Sequence, residues 1–410
     1  MRLRKIKPQG IISVALNHLK RVDIGRKVAS ALTDPRARKN REWRFRYLIE
    51  VLVYGMVSGS KNLRSVETFG EIYRERVPDT TLHDLITRID PEPLRQVLVS
   101  EVKEALRAHE LPKEAFPIRI TAIDGKSMGT SGIRVGEFSQ KLIGGGAGKY
   151  TNQALRAFHV SNETKLFIGQ HELPHDSGEM REFPLFIDRL LNDYGKTSLL
   201  EVISVDAGMV SKKNADYLIS KGLRYIMALK APQRRLLKQA QKLLRSCPAC
   251  AEQVESAKGC RISTKLFRAS YHDSHWRHLR EFWCVEKTIT KSNGDKSSEA
   301  RYFLSSINAS KLSDSNVLAA VRMHWNIENN ANWICDTTWE EDDAPWATRA
   351  LTFVSHLLLI AYKIISRLVS RRSRDRAARA ISWHELLRCV ENACYKLADS
   401  LTGSLPIFEA

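Results

Sequence analysis

The sequence predicts an α/β fold, a mixed sheet flanked by helices, with a helical N-terminal domain and a small β insertion. Three observations support this fold class. Helical periodicity dominates residues 1–115, strands and helices alternate from Pro117 onward, and the helical signal lapses between Cys247 and Asn308. We therefore expect a helical domain over 1–115, an α/β domain over 116–370 that contains the insertion, and a basic helical region over 371–410.

The N-terminal domain is predicted to be a set of short helices. Apolar residues recur at helical spacing in four segments, Arg46–Val57, Leu63–Tyr73, Thr80–Ile89 and Pro91–Ala108. The turn around Val77–Thr81 is compatible with a helix-turn-helix that binds DNA. Two short helices joined by a turn and packed in a bundle are the commoner arrangement, and both interpretations stay open.

Strands begin at Pro117. The segment Pro117–Gly125 alternates in polarity, and we expect Gly125 to end the strand. Ala154–Ser161 and Lys165–Leu173 predict a hairpin with its turn near Asn162. The next elements are predicted to be helix Ser177–Tyr194, strand Leu200–Gly208, helix Ser211–Lys221, strand Arg224–Lys230 and a helix opened by Pro232. This order indicates a mixed sheet covered by helices.

The insertion is predicted to contain three strands. They are Arg261–Tyr271, Arg280–Thr290 and Ala300–Ile307, with a turn at Ser292–Asp295.

A single helix is predicted over Asp314–Cys335, and it contains a carboxylate where an apolar residue is expected. At about 100° per residue, Val317 and Val321 share one face with Cys335, and Glu328 falls near the centre of that face. An ionised carboxylate there costs several kcal/mol unless something pairs with it. Glu328 is therefore either paired with a cation at the edge of a site or a metal ligand that faces the sheet.

The net charge of +19 indicates a polyanionic partner, most often nucleic acid. Two basic runs, Pro35–Tyr47 and Ser366–Arg379, each contain six cationic residues. The longest apolar run, Leu351–Val369, is interrupted by charged residues and predicts a buried amphipathic helix, not a membrane span. With no signal peptide visible, we expect a cytoplasmic protein with no membrane partner.

Two further motifs have weaker interpretations. The segment Gly144–Tyr150 (GGGAGKY) resembles a phosphate-binding loop, but it lacks the first Gly and the final Ser/Thr, so we interpret it as a loop beside the site. Cys247, Cys250 and Cys260, with His272, His275 or His278, are compatible with zinc binding, but their spacing is irregular. Reduced cysteines in the insertion are the simpler interpretation.

Two aspartates are each predicted to end a strand of the sheet, Asp124 before Gly125 and Asp206 before Ala207, and their carboxylates would meet if those strands are neighbours. Each alone is more often part of a turn. With Glu328 on a covering helix they would form a cluster of three carboxylates. Oxygen ligands of this kind suit Mg²⁺, with Mn²⁺ as a substitute, and two such ions support phosphoryl transfer.

Several motifs together resemble those of a known family. They are Ile123–Ser127, Phe158–Ser161, Ile168–Leu173, Val202–Gly208, Tyr225–Gln233 and Arg322–Asp343, with Asp34–Arg36 and Val77–Pro91 in the N-terminal domain. Their order resembles that of the DDE transposases of bacterial insertion sequences, in the branch that includes the H-repeat-associated proteins. The resemblance covers roughly residues 34 to 370, and the HW-x-IEN element is its most specific part.

The resemblance implies a ribonuclease H-like fold and a catalytic triad of Asp124, Asp206 and Glu328 that binds Mg²⁺. It implies cleavage at the ends of a mobile element and strand transfer into target DNA. Double-stranded DNA is then the partner, with a homodimer or higher oligomer on it, and the resemblance implies a nucleoid-associated bacterial protein. Residues expected to contact DNA are Lys126, Lys230, Arg322, His324, Asn329, Arg371 and Arg372.

Two other functions compete with this one. The first is a transposase-derived DNA-binding protein without catalytic activity. The second is a glycosidase that uses two of the carboxylates, which the net charge of +19 disfavours.

Overall fold

Helices form the first part of the chain. The computed structural model describes residues 8–37, 41–111, 115–131, 138–141, 149–162, 164–257, 259–343, 348–371 and 381–401. The first helices are α1 (Pro8–Val22), α2 (Ile24–Ala31), α3 (Phe45–Val57), α4 (Leu63–Tyr73), α5 (Asp79–Ile86) and α6 (Glu92–Arg107). The α3 helix is apolar nearly all round, and Tyr47 through Val57 are buried. It is therefore a core helix, consistent with its continuous apolar sequence.

One mixed sheet follows the helical region. Its strands are β1 (Ile120–Ser131), β2 (Ser139–Lys141), β3 (Tyr150–His159), β4 (Leu166–Glu172), β5 (Val202–Val205), β6 (Arg224–Leu229), β7 (Ala251–Ala257), β8 (Cys260–Ser270), β9 (Glu281–Thr290) and β10 (Lys296–Ser305). The order is β2-β3-β1-β5-β6-β10-β9-β8-β7, and β4 also pairs with β3.

The topology of the first six strands is ribonuclease H-like. Strand β3 is antiparallel to β1 and to β4, whereas β1, β5 and β6 are parallel neighbours. The predicted fold class, a mixed sheet flanked by helices, is confirmed. Parallel strands in this order place the residues that follow β1 and β5 at one edge of the sheet, where ligands commonly bind.

The insertion extends the sheet and is not a separate layer. Strand β10 pairs with β6 through Tyr302 and Leu229, and β7 to β9 follow outward. It contains four strands where the sequence predicts three. The missed strand, β7, has the sequence AEQVESA and is exposed along almost its whole length. A strand without a buried face has no apolar alternation from which it could be predicted.

The remaining helices cover the sheet and join its core to the N-terminal helices. They are α7 (Glu179–Tyr194), α8 (Lys212–Ser220), α9 (Arg234–Leu244), α10 (Asp314–His324), α11 (Trp333–Trp339), α12 (Thr348–Arg371) and α13 (Trp383–Leu401). One apolar core runs from Ile11 to Ala398. Part of α12, Ala350–Leu368, is long and apolar enough to cross a membrane, but 89% of it is buried inside the protein. This is the buried amphipathic helix that the sequence predicts.

Buried ion pairs join α12 to α6. Lys363 and Arg367 of α12 are fully buried, and both contact Glu101 of α6. Arg367 Nε also lies 2.5 Å from Glu110 Oε2. One of the six arginines of the Ser366–Arg379 run is thus used inside the fold and is closed to DNA.

Candidate active site

Asp124 and Asp206 lie side by side on parallel strands. Ile123 pairs in register with Val205, so the residues that follow them are neighbours across β1 and β5. Asp206 follows the end of β5, as predicted. The prediction that Gly125 ends β1 is wrong, because β1 continues to Ser131. Its pairing with β3 provides hydrogen-bond partners beyond the glycine, so Asp124 lies within the strand and not at its end.

Glu328 lies on a π-helical turn that interrupts the predicted single helix. The α10 helix ends at His324, the π turn spans Ile327–Asn332, and α11 begins at Trp333. Glu328 is exposed, whereas the neighbouring Ile327 is fully buried. The prediction that Glu328 faces the core is therefore wrong. The wider turn shifts the positions of the side chains on this segment, and such turns are frequent at functional sites.

The carboxylates on these segments interact electrostatically. Burial raises the pKa of Asp124 to about 7, and the negative charges of Glu328, Glu179 and Asp206 contribute in the same direction. A backbone hydrogen bond from Gly125 opposes the shift. The π turn packs against β1, which brings Glu328 near Asp124. The three carboxylates predicted from the sequence thus belong to one electrostatic cluster.

Lys230 supplies a positive charge beside this cluster. Its Nζ donates to Asp206 Oδ2 over 2.9 Å, and its side chain is 62% exposed. Burial alone would raise the pKa of Asp206, but the hydrogen bond from Lys230 and a backbone hydrogen bond outweigh it, so that this pKa is lowered. Lys230 is therefore at the site, as predicted, and it is accessible from solvent.

Glu179 is a fourth carboxylate at this site, and sequence reasoning missed it. It begins α7, whose N-terminal end packs against the turn Ala207–Met209 after Asp206. A Cβ at Gly125 would lie 1.8 Å from Glu179 Oε1, and a Cβ at Gly208 would lie 3.2 Å from its Oε2. The sequence predicts α7 near its observed position. It does not predict that Glu179, the first residue of α7, lies next to Gly125 and Gly208, because this proximity depends on tertiary packing.

A cleft beside Glu328 contains two of the predicted DNA contacts. Arg322 and Asn329 line it with Glu328, opposite side chains of the insertion that include Arg301, and its volume is about 340 Å³. The Arg301 guanidinium lies 4.6 Å from the centre of the Trp325 ring. The insertion therefore forms one wall of the cleft next to the acidic cluster.

His324 lies behind the site and not in the cleft. It is buried, and its Nδ1 is 3.0 Å from Ser204 Oγ on β5. Burial lowers its pKa to about 4, so the ring is neutral at pH 7. A buried neutral imidazole at this position links α10 to β5. It has no open path to a phosphate in this conformation.

Lys126 is also buried, and two carboxylates hold it. Its Nζ forms ion pairs with Asp336 and Asp342, and only 7% of the side chain is exposed. Both partners lie just beyond the π turn. A phosphate contact from Lys126 would require these carboxylates to release the ammonium group.

The other predicted contacts lie away from the carboxylates or outside the described residues. Arg371 ends α12, and Arg372, most of the Ser366–Arg379 run and most of Gly144–Tyr150 lie outside the described residues. In the Pro35–Tyr47 run, Arg36 and Arg41 pair with Asp34, and Arg46 pairs with Glu50. These three arginines already form ion pairs within the protein, so they are less available for contacts with DNA phosphates.

The chemistry of the acidic cluster suits a divalent cation. All its ligand atoms are carboxylate oxygens, which Mg²⁺ and Mn²⁺ prefer. Burial is the main cause of the raised pKa of Asp124, and the neighbouring negative charges add to it. Within the ranges that the structure describes, no three ligating side chains are already arranged around a common point. Metal binding would therefore require the four carboxylates to draw closer.

The sheet is ribonuclease H-like, and acidic side chains lie on β1, after β5 and on the π turn beside the sheet. These features define the class of the protein, an α/β protein with a cluster of carboxylates at its candidate active site. The transposase DDE domain matches residues 115–363, and the chain belongs to this family. Two curated relatives from Escherichia coli strain K12 are YbfL and the H repeat-associated protein YhhI. Each is 22% identical over 331 residues, which cover 72% of this chain and 78% of the relative.

A solved structure also shows a distant similarity. It is a cryo-EM structure of the piggyBac transposase synaptic complex with hairpin DNA, with a TM-score of 0.45 and 13% identity, covering 98% of this chain and 84% of that chain. The family match, in the branch that the sequence motifs predict, supports function as a transposase.

Proposed function

We propose that the protein is a DNA transposase that cleaves the ends of an insertion sequence and joins them to target DNA. One observation carries the proposal: β1 and β5 place Asp124 beside Asp206, and the π turn that contains Glu328 packs against β1. The chain belongs to the transposase DDE domain family, and the resemblance of its sequence motifs implies that these three residues are the acidic triad. The net charge of +19 fits a DNA substrate.

Asp124, Asp206 and Glu328 would hold Mg²⁺, with Mn²⁺ as a substitute. A pair of bound divalent cations supplies activation of the attacking oxygen and stabilisation of the leaving oxygen. Asp124 must be ionised to serve as a ligand, and its pKa of about 7 makes this proton loss the first requirement of the site.

Residues around the carboxylates would position the DNA. Arg322 and Asn329 line the cleft next to Glu328 and would contact the sugar–phosphate backbone. Lys230 is exposed and would exchange its contact with Asp206 for a phosphate once other positive charge compensates Asp206. The insertion strands would support one side of the DNA, because Arg301 and Lys287 also face the cleft.

We also propose that the protein acts as a homodimer or higher oligomer on double-stranded DNA. An insertion sequence has two ends, and their coordinated joining requires a catalytic site at each. Cations of the Ser366–Arg379 run other than the buried Arg367 would add non-specific contacts to phosphates.

Cleavage of DNA that contains an element end tests this function. The purified chain is expected to nick such DNA in Mg²⁺, to stop in EDTA, and to lose activity on Asp206→Asn. Retained DNA binding with no cleavage under any metal condition would instead establish the DNA-binding protein without catalysis. Cleavage that persists in EDTA would overturn the proposed metal chemistry.

A further inference from the structure

We propose that Glu179 is a fourth acidic residue of the catalytic site and acts on the same divalent cation as Asp124 and Asp206. The inference rests on the proposed function, since it assigns a further residue to that site. Glu179 is the first residue of α7, far in sequence from the other three carboxylates.

Two glycines leave the space that the Glu179 carboxylate occupies. Gly125 follows Asp124 directly, and a Cβ there would lie 1.8 Å from Glu179 Oε1, well inside van der Waals contact. Gly208 comes two residues after Asp206, and a Cβ there would lie 3.2 Å from Glu179 Oε2. Because side chains alternate along a strand, Gly125 faces the side of β1 opposite to Asp124. Glu179 therefore approaches the two aspartates from the α7 side of the sheet, next to the backbone segments that contain them.

Glu179 has no countercharge of its own. Its side chain is half-buried, and among the described residues it has neither an ion pair nor a side-chain hydrogen bond. By contrast, Glu182 on the next part of the same helix is bonded to His171 and Ser177. The N-terminal end of α7 favours a negative charge only weakly. A cation shared with the aspartates would compensate Glu179 more fully.

Binding of Mn²⁺ alone, measured by isothermal titration calorimetry on the full chain at pH 8, tests the inference without any turnover. Glu179→Gln should weaken Mn²⁺ binding at least tenfold, and Asp206→Asn should weaken it to a similar degree. Asp176→Asn removes an exposed acid three residues before Glu179 and should leave the affinity within twofold of wild type. DNA binding in EDTA should be unchanged by Glu179→Gln.

The outcomes separate this inference from the proposed function. If Asp206→Asn loses Mn²⁺ and Glu179→Gln keeps it, Glu179 is only a helix N-terminal residue and the inference fails alone. If Asp206→Asn also keeps wild-type affinity, or the wild-type chain binds no Mn²⁺, the proposed metal site fails and the inference with it.

Gly125→Ala provides a second route that leaves all four charges in place. The added methyl group must displace the Glu179 carboxylate, so Mn²⁺ affinity should fall several-fold. In a Glu179→Gln background the same change should have little further effect, because the displaced ligand is already lost. Full additivity of the two changes would show that the glycine acts through something other than Glu179.

Discussion

Replacing Asp124 by Asn should stabilise the metal-free protein, and the gain should depend on pH. The folded state holds a proton on Asp124 up to about pH 7, whereas the ordinary pKa of an aspartate in an unfolded chain is 3.8. Wild-type stability is therefore lost as pH rises through that window, because the unfolded state releases the proton first. At about 1.4 kcal/mol per pH unit, the difference between the two pKa values corresponds to a loss of about 4 kcal/mol in the free energy of unfolding.

Water still reaches the carboxylate, which reduces this energy. We therefore expect Asp124→Asn to increase the free energy of unfolding by about 1–3 kcal/mol above pH 7. The assay is urea unfolding in EDTA at pH 5 and pH 8, with wild type and variant compared at each pH. The gain should be clearly larger at pH 8, since wild-type Asp124 is still protonated at pH 5. Asp176→Asn, an exposed control, should give no gain at either pH.

An equal loss of stability at both pH values would refute this reasoning. It would mean that an ionised Asp124 is already well compensated in the metal-free protein, for instance by a cationic side chain.

Three further predictions concern catalysis, DNA binding and the fold. Glu328→Gln should reduce end cleavage in Mg²⁺ at least ~100-fold and leave the melting temperature in EDTA unchanged or raised. Cleavage at near wild-type rate would show that Glu328 is not part of the catalytic site. Replacing four arginines of the Ser366–Arg379 run other than Arg367 by Gln should lower the salt slope of DNA affinity by up to about 3–4, whereas an unchanged slope would mean that this run is only a solvated surface. Glu341→Gln should cost about 3–5 kcal/mol in urea unfolding, because it weakens the pairing of the fully buried Arg156. The neighbouring Glu340→Gln removes an exposed pair and should cost at most about 1 kcal/mol, and equal losses would contradict the assignment.

The sequence predicts most of the elements because their apolar patterns are strong. The α4 helix has its predicted limits, and α3 differs by one residue, since both bury a continuous apolar face. The Asp206 position after β5 also agrees, because β5 is a short, fully buried strand followed by a turn. These features depend only on local spacing and on burial of one face.

The errors fall where pairing partners or irregular turns decide the structure. Strand β1 passes through Gly125 because β3 pairs with it, and sequence spacing alone contains no information about that partner. The exposure of Glu328 follows from a π turn, which a projection at a fixed angle per residue cannot represent. Glu179 joins the site only through tertiary packing of α7.

Strand β1 and the segment around the π turn bring the carboxylates together, and ion pairs between opposite charges also join these two parts of the chain. Lys126 lies two residues after Asp124 on the same face of β1, and it pairs with Asp336 beyond the π turn that contains Glu328. Arg156, the cross-strand partner of Asp124, donates hydrogen bonds to both carboxylate oxygens of Glu341. These buried pairs link β1 and β3 to the segment after Glu328, so they offset part of the repulsion between the carboxylates. The buried pairs would therefore hold these elements together in the metal-free protein, and a bound cation would then have to draw the acidic residues closer.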